Sequence, residues 1–113
     1  MKDHISRIQL QEIANEQFGD LVKAAIDLQQ EILALGSEMH ADAETELIEK
    51  EGSKRENIWG INLYPAESGD ALLEFDSMIN LKPAFGNRTR NVENEAVRIH
   101  IRKVIDRMLT EQR

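Results

Sequence analysis

The chain is predicted to be α+β, an antiparallel sheet of three to five strands packed on one face by N- and C-terminal helices. Three observations lead there. In residues 71–83, ALLEFDSMINLKP, Leu73, Phe75, Ser77, Ile79 and Leu81 alternate with Glu74, Asp76, Met78, Asn80 and Lys82, the period of a half-buried strand. Residues 58–64 alternate too, with Trp59, Ile61 and Leu63 opposed to Gly60, Asn62 and Tyr64, and Pro65 ends the run. At the two ends, apolar residues instead recur every three or four positions behind recognisable caps.

Taken in order, the first element is a helix over about residues 7–18. Ser6 and Gln9 fit a capping box, Ile5 and Leu10 a hydrophobic staple, and Gly19 a left-handed terminator. Residues 20–36 fit either a helix, through Leu21, Ala25, Leu28, Ile32 and Leu35, or a strand, through Val22, Ala24, Ile26 and Leu28; propensity favours the helix and the pattern leaves both open. Residues 39–47 read as a strand with His40, Asp42, Glu44 and Glu46 on one side. Together with the next two runs they predict a meander of three consecutive strands. After the polar loop 86–91, Asn94 caps the best helix in the chain, whose stripe is Val97, Ile101, Val104, Ile105 and Met108. Covering the dry sheet face formed by Trp59, Ile61, Leu63, Phe75, Ile79 and Leu81 would make a two-layer domain.

Composition narrows the function classes. The 113 residues are expected to form a single domain, 1–113, with a core that needs no staple. With no cysteine, disulfide frameworks, thiolate metal sites and cysteine nucleophiles are excluded. No apolar run suits a membrane span or a signal peptide, which points to a cytoplasmic address and no membrane partner. The net charge of -7 is split: residues 1–80 hold 6 Lys and Arg against 17 Asp and Glu, residues 81–113 hold 8 against 4. A basic end on an acidic body predicts self-complementarity, within the chain or with a second copy, ahead of an anionic partner.

The blocks HADAE at 40–44, WGINLYP at 59–65, EFDSMINLKP at 74–83 and GNRTR at 86–90 together resemble an uncharacterised family of short prokaryotic proteins, a domain of unknown function. The resemblance runs from about Phe18 onward. It implies a shared small fold and supplies no activity, and it tilts residues 22–28 toward a strand. Lys82 and Thr89 stand where the family is expected to carry Arg and Ser; a lysine would hold an anion less specifically than a forked guanidinium.

Two constellations are candidates for chemistry. The polar sheet face predicts a pocket of His40, Asp42, Asn62, Tyr64, Glu74 and Asp76, with Arg88 and Arg90 folding over it from the loop. An outer sheet face is ordinarily wet and charged, yet residues 40–49 contain no basic residue, so the repulsion among their acids needs relief. The loop 86–91, set before a helix N-terminus, suits anions. As nucleic-acid readers, Arg88, Arg90, Arg98, Arg102, Lys103 and Arg107 with Trp59 or Tyr64 are possible but not favoured. Met78 falls on the otherwise polar face, as a partner contact would. No nucleophilic triad can be assembled and no cofactor or metal is expected. The function stays unknown at this level: a small interaction or regulatory module, a homo-oligomer or bound to a protein partner, is expected first. A metal-dependent hydrolase or nuclease using His40, Asp42, Glu74 and Asp76 on a phosphate-containing substrate is the alternative.

Overall fold

The computed structural model describes residues 4–110. Its elements are β1 (Ile5–Ser6), α1 (Arg7–Glu16), β2 (Val22–Asp27), β3 (Ile32–Leu35), α2 (His40–Glu51), β4 (Ile58–Leu63), β5 (Leu73–Glu74), α3 (Glu95–Met108) and β6 (Leu109–Thr110). β1 and β6 pair in parallel, and the main sheet is antiparallel in the order β3-β2-β4-β5. The α+β class, the antiparallel sheet and the terminal helices are as predicted.

α1 starts where its capping box lies: the Gln9 amide donates to Ser6 Oγ and the Ser6 amide to Gln9 Oε1. Ile5 and Leu10 are buried in one cluster, and Gly19 takes the left-handed φ of +88° with its amide on the Ala14 carbonyl. α3 is capped by Asn94, whose side chain accepts from the Val97 amide. Leu10 and Ala14 of α1 and Ile101, Val104, Ile105 and Met108 of α3 pack with Val22, Ala24, Ile26, Trp59, Ile61 and Leu63 from one sheet face. Residues 20–36 form neither a helix nor a single strand but the β2–β3 hairpin.

Three expectations are corrected. Residues 39–47 are not a strand but most of α2: Ala43 and Leu47, one turn apart, are buried against Ala25, Ile58 and Ile79 on the opposite sheet face. The sheet is therefore covered on both sides, and the fold has three layers instead of two. The meander 39–47, 58–64, 71–83 gives way to β3-β2-β4-β5.

Residues 71–83 form only the two-residue β5, because the chain leaves the sheet at Phe75 and turns through a short 3-10 segment at Met78–Asn80. Leu73 and Phe75 do face the α1/α3 side, but Ile79 joins the α2 side and Leu81 is only half-buried. Asn80, expected outside, is fully buried (0 % exposed). Its side chain takes over where β5 stops: Asn80 Oδ1 accepts from the Gly60 amide at 2.8 Å, and Nδ2 donates to the Gly60 carbonyl at 3.0 Å and to the Arg90 carbonyl at 2.9 Å. One side-chain amide thus stands in for a strand neighbour of β4. The approach requires glycine, since a Cβ on Gly60 would lie 2.5 Å from Ser77 Cβ and 2.9 Å from Ile79 Cγ1.

Asn87 fastens the following loop. Its Nδ2 faces the carbonyls of Asn80 and Asn91, each at 2.7 Å, and its Oδ1 accepts from the Glu93 amide at 2.9 Å.

Candidate functional site

The start of α2, the end of β4 and the segment leaving β5 meet at one corner of the sheet. His40 is the first residue of α2, and its Nε2 lies 2.8 Å from the Ile61 carbonyl. Because a carbonyl only accepts, Nε2 carries the proton, and the neutral ring keeps Nδ1 as an acceptor. Burial holds the His40 pKa below its ordinary value; Lys23 pushes the same way, while the Ile61 carbonyl, Asn62 and Asp76 oppose it.

Asn62 donates to Glu74 Oε1 at 2.8 Å and to the Asp76 carbonyl at 3.2 Å, and Tyr64 Oη donates to the same Glu74 oxygen at 3.1 Å. Burial, then that bond to Glu74, raises the Tyr64 pKa. Arg90 Nε pairs with Asp76 Oδ1 at 2.8 Å. The Oδ1 of Asn62 is buried and accepts no hydrogen bond from any described residue.

Six of the eight candidate residues, His40, Asn62, Tyr64, Glu74, Asp76 and Arg90, are thus linked through this corner. Asn62 is buried and not on a wet face. Asp42 is not part of the group: two residues along a helix is roughly 200° of rotation, so it is exposed on another side of α2 from His40. Arg88 is exposed and turned to Glu93 instead of the corner, its amide donating to Glu93 Oε2 at 2.8 Å. Lys82 is taken up by backbone carbonyls. It is buried, its Nζ donates to the carbonyls of Arg55 (3.0 Å) and Ile79 (3.1 Å), and it lies 5.1 Å from the Trp59 ring centre.

Beside this network is a cavity of about 160 Å³ lined by Lys23, Met39, His40, Ser77, Met78 and Arg90 among others. Met39 and Met78 on its rim are 58 % and 62 % exposed. Lys23 lies 4.9 Å from the Phe18 ring centre and is in no ion pair with a described residue. Lys23 and Met39 were missed from the sequence. The signal was a lone cation among the apolar residues of VKAAI and a methionine next to His40.

The wall builds no nucleophile and base, because Ser77 is buried and its Oγ accepts from the Ile79 amide at 3.3 Å, with no hydrogen bond to His40. Among the described residues no three His, Asp or Glu side chains converge as metal ligands. The predicted set of His40, Asp42, Glu74 and Asp76 therefore does not assemble.

Three residues of the predicted basic stripe are likewise engaged within the chain, whereas Lys103 is exposed. Arg98 donates to the Val92 carbonyl, Arg102 to the Gly69 carbonyl and Arg107 to Glu31, while Trp59 is buried. No helix among the described residues is long and apolar enough to cross a membrane.

A family model described as a protein of unknown function (DUF5674) matches residues 1–108. The chain belongs to that family. The resemblance to an uncharacterised family read from the sequence thus stands, and DUF5674 brings a shared fold without an assigned activity. No curated protein and no solved structure matches.

Proposed function

We propose that this DUF5674 chain is a non-catalytic interaction module, working as an oligomer in the cytoplasm. Its corner cleft receives a segment of a partner protein that carries a carboxylate beside an apolar side chain. The observation that carries this reading is the rim: Met39 and Met78, 39 positions apart in sequence, are both more than half exposed around a cavity lined by Lys23, His40 and Arg90. Methionine is flexible and polarisable, so an exposed pair is suited to an apolar side chain that enters between them. Lys23 is a cation without a carboxylate partner among the described residues of an acidic chain, which favours an acidic segment over a basic one.

Selection from a random peptide library tests it. Peptides pairing Asp or Glu with Leu, Met or Phe are expected, and a consensus peptide should lose at least about tenfold in affinity to Lys23→Glu and to Met78→Asp. Enrichment of basic peptides, or equal binding to both variants, would overturn the reading.

A further inference from the structure

The face of α3 turned away from the core carries its own pattern. At roughly 100° per residue, Ile99 lies opposite the buried stripe of Ile101, Val104, Ile105 and Met108, and it is 50 % exposed. It borders a groove of about 440 Å³ shared with Phe75, Glu95, Arg98, Lys103 and Asp106 among others. Glu95 and Lys103 stand one turn before and one turn after Ile99, both exposed, and neither is in an ion pair with a described residue.

We infer that this groove is a dimerisation surface whose occupant is α3 of a second copy, crossing antiparallel about a two-fold axis at Ile99. The charges select that occupant. Because Glu95 and Lys103 are each four residues from Ile99, the antiparallel pair sets Glu95 of each copy against Lys103 of the other, forming two reciprocal ion pairs around an apolar centre. A parallel pair would set like against like. Arg102 is occupied within its own chain by the Gly69 carbonyl and Asp70, which leaves Lys103 as the cation for the partner. Ala96, exposed and small, lets the backbones approach on the Glu95 side. Fourteen residues of helix are only about 21 Å long. One such face buries less than the roughly 1,200 Å² of a stable standard interface, so the dimer should be weak and concentration-dependent.

The inference deepens the oligomeric part of the proposed function and is independent of the corner cleft. The experiment is sedimentation equilibrium up to millimolar protein. The parent is expected to dimerise, and Glu95→Lys and Lys103→Glu each to weaken the dimer at least about tenfold, with circular dichroism confirming that both stay folded.

Mixing the two variants is the decisive arm. Every 95–103 contact between unlike chains then joins Lys to Glu, so a heterodimer should form with about the parent's affinity. A parent that is monomeric throughout, or a mixture that fails to associate, would overturn the inference. Peptide binding at the cleft would be untouched by either result, so the two readings fail separately.

Discussion

Replacing Asn80 by alanine removes the side-chain amide that completes β4. Three hydrogen bonds vanish, to the Gly60 amide, the Gly60 carbonyl and the Arg90 carbonyl. A net bond is worth about 1 kcal/mol, and a buried group left unpaired costs about 1–3 kcal/mol, so the loss should be about 3–5 kcal/mol. That is a large part of the roughly 5–15 kcal/mol that holds a domain folded, and it corresponds to a fall in Tm of roughly 15–25 °C.

Urea unfolding followed by the fluorescence of Trp59, the single tryptophan and a buried residue of β4, reads it directly. Gly60→Ala alone should cost about 1–3 kcal/mol by overpacking against Ser77 and Ile79. Once Asn80 no longer moors the 77–80 turn, the same alanine should cost much less, so the two substitutions should be less than additive. A loss below about 1 kcal/mol for Asn80→Ala, or strict additivity in the cycle, would refute the mooring argument.

Other predictions concern charge. The His40 pKa is depressed in the fold below its ordinary 6.5, so the unfolded chain binds the proton first. Its contribution to stability is therefore complete above about pH 6.5 and is lost as pH falls through the lower folded value; His40→Gln should flatten the decline in unfolding free energy below that pH. Glu31 has a left-handed φ of 56° at the β2–β3 turn and is held by His100 at 2.8 Å and Arg107 at 2.9 Å. The bond to His100, then that to Arg107, lowers its pKa, so carboxyl NMR should find it titrating at higher pH in His100→Ala and, to a smaller extent, in Arg107→Ala. Lys82→Met leaves the Arg55 and Ile79 carbonyls without their donor, and should cost about 1–3 kcal/mol in the same urea assay.

The terminal helices were legible because their signals are local. Ser6, Gln9 and Asn94 act on amides within a turn of themselves, and no distant contact decides them. β2 was ambiguous because Val22, Ala24, Ala25, Ile26 and Asp27 are all buried; a strand covered on both faces loses the alternation that marks it. α2 was misread because MHADAETEL alternates by accident. Its truer marks were Asp42 in the first turn, Lys50 in the last, the left-handed Gly52 beyond it, and Ala43 with Leu47 four residues apart.

The false strand at 71–83 carries the strongest lesson for function. Ser77, Ile79 and Asn80 are buried parts of the seam that closes β4, while Met78, between them, is exposed at the cleft. Asn87 ties the loop while Arg90, three residues on, reaches Asp76 at the surface. A block of sequence can thus look like a site because most of it is scaffold: the buried amides demand particular residues for the backbone groups they satisfy. Residues with no such duty are where a partner's demands would be written. By that criterion Met39, Met78 and Lys23 outrank the carboxylates Glu74 and Asp76, whose contacts with Asn62, Tyr64 and Arg90 already account for them. Glu74→Gln should therefore leave the cleft able to bind, whereas Lys23→Glu should not.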